Sequence, residues 1–377
     1  TVVFSKAALA TAATVDPAIA PDKFQRVINE KYAADIMFLI NRANIRAGQL
    51  KTNAMDELRK EILETSGNAS RELKEINVNS YASPEGPEAW NTELAQDREK
   101  NTVNYIEKQL KKDNITEFGE LTKHFTAEDW EGFKELVSKS NIQDKDLILS
   151  VLSMYKDPEQ REKEIRNLSN VFEVLAEEIL PQLRYPRITA SIDVIGESDA
   201  EIQELFKTNP KALSIDEILY CATLTDNDAE RLKIYDTAAR IYPNDYRTWN
   251  NLGVVQYETG DYKAAQANFQ KALSLNANCA EAKMNMGLIS VLDKDLTKAN
   301  QYFGQAAGAD GLNDALGIYY LKMGDNASAA RAFGDSKTNN AALAQILTKD
   351  YSKAKNTLAA ISKPDATTYY LMAVLGA

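Results

Sequence analysis

From Trp249 onwards the chain repeats itself, and that period constrains the fold more than any other feature. Trp249, Leu252, Gly253, Gly260, Tyr262, Ala265, Phe269 and Ala272 set a pattern of small and apolar residues. Met286, Gly287, Ala299, Phe303 and Ala306 restate it, with Gly287 placed 34 residues after Gly253. A third copy holds Leu316, Gly317, Tyr320, Gly324, Ala329 and Phe333, where the step from Gly287 shortens to 30. Ala354 and Leu358, after Asp350-Tyr351, mark a more degenerate fourth. Ile218, Leu219, Tyr235, Ala238 and Pro243 fit one unit upstream. A unit of this length cannot bury its apolar face alone, so stacked units must share one core. Gly253 and Ala265 fall where two antiparallel helices approach closely, and Gly260-Asp261 turns the chain between them.

This pattern resembles the tetratricopeptide repeat, a helix–turn–helix unit, over about residues 212–361. The resemblance implies an all-α solenoid with a concave groove for a protein partner. Arg247, Asn250, Val254 and Tyr257, then Met284, Leu288 and Val291, occupy first-helix positions that normally point inward. The surface runs from polar to apolar and lacks the Lys-and-Asn pattern of repeats that clamp a terminal carboxylate. The expected occupant is a protein segment or a neighbouring domain, held largely by apolar contact. Thr367 to Ala377 reads as the first helix of another repeat. An unpaired solenoid helix exposes an apolar face, so the natural chain is expected to continue beyond Ala377.

The first half is punctuated differently. Ile36 to Ile40 is an apolar run of strand length, and Met55, Leu58 and Ile62 recur at helical spacing. Ile76 and Val78 alternate with Asn77 and Asn79; Val103, Ile106 and Leu110 mark a second helix. Ile188, Ala190, Ile192 and Val194 alternate as a last strand. Strand, helix, strand, helix and a later strand predict an α+β sandwich with helices on one face of a small sheet. Between the second helix and the last strand, about residues 113–182 read as a helical insert. Ile165, Leu168, Phe172, Leu175 and Ile179 form one stripe, Trp130, Phe133 and Val137 another, and Asp157-Pro158 a helix start. The predicted organisation is an N-terminal segment or linker at 1–29, the sandwich at 30–196, a connector at 197–211 and repeats at 212–377.

Composition narrows the chemistry. The 377 residues carry 44 basic and 55 acidic side chains, a formal charge of −11. That balance argues against a nucleic-acid partner, because duplex affinity comes from neutralising phosphates with Lys and Arg. No run approaches the roughly 18 apolar residues of a membrane span. Two cysteines, Cys221 and Cys279, make neither a disulfide framework nor a thiolate metal site, and both are expected to pack as small buried residues. A single histidine, His124, disfavours His-based zinc sites and Ser-His-Asp triads. His124, Glu128 and Asp129 are the one local cluster with catalytic residue types, and no nucleophile accompanies them. The expectation is a non-enzymatic protein without a cofactor or metal.

The loop after the second strand reads Ser80-Tyr81-Ala82-Ser83-Pro84-Glu85-Gly86, followed by Trp90-Asn91 and Leu94-Ala95-Gln96-Asp97-Arg98. It resembles the OmpA-like domain, the peptidoglycan-associating module of Gram-negative envelopes. Gly86, Asn91, Leu94 and Arg98 fall in register with that family's pattern, and Trp90 takes its aromatic place. The resemblance covers about residues 30–112 and resumes at 187–195. Its Ala-Ser-Pro-Glu-Gly form is similar to envelope proteins of anaerobic Gram-negative bacteria that join this domain to tetratricopeptide repeats. It implies a protein on the periplasmic face of the outer membrane whose ligand is the diaminopimelate of a peptidoglycan stem. An arginine would clamp the ligand's carboxylate and an aspartate its amine. Arg98 is then the cationic pole, and Ser83 stands where the family has its aspartate. Losing that charge forgoes a bond worth about 1.5–3 kcal/mol. Glu85 or Asp97 could restore a negative pole. The alternative is an assembly scaffold whose OmpA-like domain has lost the wall.

Overall fold

The computed structural model describes residues 11–167 and 169–376. It divides into two units, residues 25–196 and residues 11–24 with 197–376.

In residues 25–196 four strands, β1 (Val27–Asp35), β2 (Arg71–Tyr81), β3 (Glu120–Thr126) and β4 (Pro186–Ile195), form one sheet in the order β1-β4-β2-β3. β4 runs antiparallel to both its neighbours, and β3 lies parallel to β2 at the edge. Helices α1 (Asn53–Glu64) and α2 (Glu88–Lys112) cover one face. Alternation decides which side chains they meet: Leu73, Ile76 and Val78 of β2 and Ile188, Ala190 and Ile192 of β4 share a core with Met55, Leu58, Ile62, Ile106 and Leu110. Val27 pairs with Ile195, so the chain enters and leaves the sheet at adjacent strand ends.

Two expectations need correction here. The first strand is Val27–Asp35, and the apolar run follows it. Ile36 and Phe38 still donate to the Pro186 and Arg184 carbonyls at 3.1 and 2.8 Å, but Leu39 and Ile40 are 52% exposed. An edge strand buries little, so Val-Ile-Asn-Glu-Lys-Tyr can be half polar and still pair. The insert is not wholly helical either. It opens with β3, whose Glu-Leu-Thr-Lys-His-Phe-Thr is mostly exposed and carries almost no buried alternation to read.

The remainder of the insert is helical: α3 (Trp130–Lys139), α4 (Lys145–Met154), α5 (Pro158–Asn167) and α6 (Ser169–Glu178). Phe133, Val137, Ile148, Leu152, Ile165, Leu175 and Ile179 make a separate small core. Asp157 accepts from the Gln160 N–H at 2.9 Å, so Asp157-Pro158 does start α5. Leu168, expected on the same stripe, lies outside the described residues.

Residues 197–376 are helices throughout: α7 (Asp199–Thr208), α8 (Ile215–Cys221), α9 (Asp228–Ile241), α10 (Tyr246–Glu258), α11 (Tyr262–Leu275), α12 (Ala280–Leu292), α13 (Leu296–Phe303), α14 (Leu312–Met323), α15 (Asn326–Phe333), α16 (Asn339–Leu347), α17 (Tyr351–Ala359) and α18 (Ala366–Gly376). The turn inside each repeat is built alike. A residue with positive φ (Gly260, Lys294, Gly324, Lys349) precedes an aspartate (Asp261, Asp295, Asp325, Asp350) that accepts from the third N–H of the second helix. The small first-helix residue is a true close approach. A Cβ on Gly287 would lie 2.4 Å from the Phe303 ring, and one on Gly317 equally close to Phe333.

The N-terminal segment departs most from expectation. Residues 11–24, within the expected N-terminal segment or linker, run along the inner face of the repeats, with Ala12, Val15 and Ala18 buried in the solenoid core. Residues 1–10 of that linker lie outside the described residues.

Gly287→Ala should lower stability by about 1–3 kcal/mol, because the buried Phe303 ring must be displaced. Lys294→Gly should raise it by about 1 kcal/mol by removing a side chain from the left-handed region. Urea unfolding followed by far-ultraviolet circular dichroism measures both.

Candidate functional site

The loop after β2 is tied down by its own polar groups. Ser83 Oγ donates to Glu85 Oε1 at 2.6 Å, and Arg184 grips both Glu85 oxygens, from Nε at 2.8 Å and from Nη2 at 3.2 Å. Gly86, at φ +94°, donates its N–H to Glu162 at 2.6 Å. Asn91 is buried and donates to the Gly86 carbonyl at 3.2 Å and to Glu128 at 3.1 Å, so it holds the loop to α2.

Arg98 is fully buried. Its Nε donates to the Arg42 carbonyl at 3.0 Å, Nη1 to Tyr81 at 3.1 Å and Nη2 to Leu39 at 3.2 Å. Its guanidinium carbon also lies 5.3 Å from the centre of the Phe38 ring. Burial, with the nearby Arg184 adding repulsion and Glu85 opposing it, pushes this guanidinium down to about 10, still a cation at neutral pH. The arginine therefore stitches β2 to the 39–42 segment. An open cleft of about 630 Å³ does lie beside α2, lined among others by Ile40, Trp90, Leu94, Asp97 and Arg166, with Trp90 68% exposed. Of the expected ligand residues Glu85, Gly86, Asn91 and Asp97 line it, and Arg98 and Ser83 do not. The expectation that Arg98 faces a hollow is corrected by helix geometry. Asn91, Ala95, Arg98, Thr102, Ile106 and Leu110 form the buried stripe of α2, leaving Asp97 exposed one position away.

The acidic cluster beyond β3 has structural work. Glu128 accepts from Trp130 Nε1 at 2.9 Å and from Asn91, while Asp129 accepts from the Gly132 N–H at 2.9 Å and caps α3. Burial raises both carboxyls above their ordinary range. His124 stands exposed on the edge strand, in register with Asn79. Cys221 and Cys279 are buried thiols, both pushed up to about 11 by burial, and Cys279 also caps α12 through its sulfur. A thiol so raised is a poor nucleophile at neutral pH.

The second candidate site is the concave face of the repeats. Arg247, Asn250, Val254, Tyr257, Met284, Leu288 and Val291 are all buried there, as inward-pointing residues must be under an occupant. The occupant is residues 11–24 of this chain. Asn285 holds both polar groups of Ala18: its Oδ1 accepts from the Ala18 N–H at 2.7 Å and its Nδ2 donates to the Ala18 carbonyl at 2.8 Å. Asn251 does the same to Ala20, at 2.8 and 2.9 Å. Asn250 adds a second donor to the Ala18 carbonyl at 3.0 Å and bridges the two clamps, donating to Asn251 at 3.1 Å and accepting from Asn285 at 3.0 Å. Tyr257 donates to the Ala12 carbonyl at 2.6 Å, and Asp216 accepts from the Lys23 N–H at 2.9 Å. Arg247 pairs with Asp216 at 2.6 Å and with Asp245 at 2.8 Å, and the two carboxylates raise its pKa above the usual arginine value. Phe24 stacks on Tyr220, the ring centres 4.3 Å apart.

Sequence reasoning missed Asn251, Asn285 and Asn340, whose amides add a hold on main chain and on the Thr14 hydroxyl to the apolar contact of Ala12, Val15 and Ala18. A signal was present. Asn285 follows Asn251 by 34 residues, the period of the repeat. Asn340 follows Ala315 by 25, the step that also separates Phe333 from Leu358, so it occupies the same repeat position.

Residues 246–279 match the family model of the tetratricopeptide repeat. The chain is 30% identical over 112 residues to cellulose synthase 1 operon protein C of Komagataeibacter xylinus, covering 29% of this chain and 8% of that protein. It is 28% identical over 97 residues to the type IV pilus assembly protein PilF of Pseudomonas aeruginosa, covering 25% of this chain and 38% of PilF. A solved tetratricopeptide repeat protein from Parabacteroides merdae aligns with 47% of this chain and 77% of its own, at 16% identity and a TM-score of 0.37. The C-terminal part is therefore a tetratricopeptide-type helical solenoid, a class of repeat that mediates protein–protein interaction. The aligned stretches span well under two thirds of these curated relatives.

Arg98→Ala should destabilise the protein by about 2–3 kcal/mol, since a fully buried side chain and its three carbonyl bonds are lost together. Urea unfolding measures it. An arginine kept in readiness for a ligand could be removed at little cost or with a gain in stability, and that outcome would contradict the stitching role.

Proposed function

We propose that this chain is a non-enzymatic assembly scaffold of a bacterial cell envelope: its repeats dock protein segments, and its N-terminal unit is an OmpA-like domain that has given up peptidoglycan. The observation that carries this reading is the groove itself, in which asparagine side chains already grip the backbone of an extended segment. Such a grip takes its affinity from main-chain hydrogen bonds, as suits a docking surface for an extended segment.

The loop chemistry supports the loss of the wall ligand. A diaminopimelate carboxylate needs a guanidinium within its reach, and Arg98 is fully buried with three of its five N–H donors already spent on carbonyls. The carboxylate nearest the family's aspartate place, Glu85, is neutralised by Arg184. Glu128 and Asp129 are committed to Asn91, Trp130 and a helix cap, which supports a non-catalytic role. An envelope setting is supported by the Ser83–Gly86 loop resemblance and by relatives named for pilus assembly and for the cellulose synthase operon.

Sedimentation of the intact chain with isolated peptidoglycan tests this. The scaffold reading predicts no retention above a blank. Retention that is lost in Trp90→Ala would restore wall binding and place it in the open cleft beside α2.

A further inference from the structure

The seated segment is a template for what the groove accepts. Asn251 and Asn285 occupy one position in successive repeats, and they hold Ala20 and Ala18, two residues apart. Asn340, two repeats further on, meets Thr14, four residues before Ala18; its Nδ2 donates to Thr14 Oγ1 at 3.0 Å. The segment therefore runs opposite to the repeats at two residues per repeat, the period of an extended chain. Ala315 holds the equivalent position in the repeat between, where no amide is present to clamp residue 16.

The clamped positions are both alanine, at 3% and 1% exposure, with no room left for a larger side chain. Pro17 and Pro21 flank them, and a residue before proline is held out of the helical region, which keeps Ala20 extended. Between the clamps Ile19 is partly buried against the apolar clusters on either side. The floor under Ala18 and Ala20 presents Asn250, Asn251 and Asn285, whose amides water could solvate as well as a peptide can, while Val254, Tyr257, Met284 and Leu288 share an apolar cluster with Ala12, Val15 and Ala18. Beyond one short 3-10 turn at Ala12–Thr14 the segment has no strand or helix of its own, and side-chain amides hold its main chain as they would hold a bound peptide's.

We infer that residues 11–24 are an intramolecular ligand that occupies the docking groove in competition with partners, and that the partner segment is extended, with small side chains at alternate positions between prolines. This rests on the scaffold reading and names its ligand class. Tethering gives the chain's own segment a high effective concentration, so the groove reports a weakened apparent affinity for anything offered in trans.

The test uses the intact chain and a labelled, terminally blocked peptide of residues 11–24, followed by fluorescence anisotropy. Ala18→Arg with Ala20→Arg in the chain should unseat its own segment, and the peptide should bind this variant at least about tenfold more tightly than the wild type. Adding Asn285→Ala to that variant should weaken peptide binding about tenfold or more. A peptide carrying the same two arginines should bind neither chain. Equal binding to the wild type and the double variant would overturn the inference. So would loss of cooperative helical melting in the double variant, because the segment would then be part of the core. Either result without sedimentation on peptidoglycan leaves the scaffold reading in place with a different docking face; retention on peptidoglycan would overturn that reading instead.

Discussion

Two side-chain amides pairing with the main chain of Ala18 and Ala20 govern how the helical unit is organised. A primary amide carries one acceptor and two donors, so it can meet both polar groups of an extended residue at once. Placed one repeat apart, such amides convert the pitch of a solenoid into the pitch of a peptide. The inner face can then be polar and still buried, because each amide is satisfied by backbone. Without an occupant the amides of this face could turn to water, while the apolar residues among them would lose the cover of Ala12, Val15 and Ala18. This separates it from the conventional core between paired helices, where Phe269, Phe303 and Phe333 fill the space that glycines leave.

Arg98 is the corresponding constraint in the other unit. A buried guanidinium needs hydrogen-bond partners, and three carbonyls from two chain segments give each of its nitrogens one. The residue that a family pattern reads as a ligand clamp is used here to fasten the 39–42 segment and the end of β2 to α2. Around it, Ser83, Glu85 and Arg184 close a second local network, and Glu85 also lines the open cleft beside it, with Gly86, Trp90, Asn91 and Asp97. A sequence motif and the chemistry of the site thus part company within a few residues.

Much of this was legible in the sequence where periodicity coincides with burial. The helical repeats, the strand Ile188–Val194, the helices at Met55–Ile62 and Val103–Leu110 and the start at Asp157-Pro158 all show strong patterns. β1 and β3 were not legible, because edge strands bury too little to impose alternation. Arg98 could have been read correctly from Ala95, Thr102 and Ile106, which place it on the buried stripe; a motif match outweighed that spacing. The groove's occupant was beyond reach, since nothing in Thr11–Phe24 marks it as other than a linker until Asn251 and Asn285 are seen to face it.

The account stands on that segment being seated yet separable. Native-state hydrogen exchange of the intact chain, resolved at the amides of Ala18 and Ala20, measures both properties directly. Protection at these two amides, lost through an opening that leaves the α10–α12 amides closed, is the predicted result. Unprotected amides would show that the segment is not in the groove, and exchange only through global unfolding would show that it never leaves.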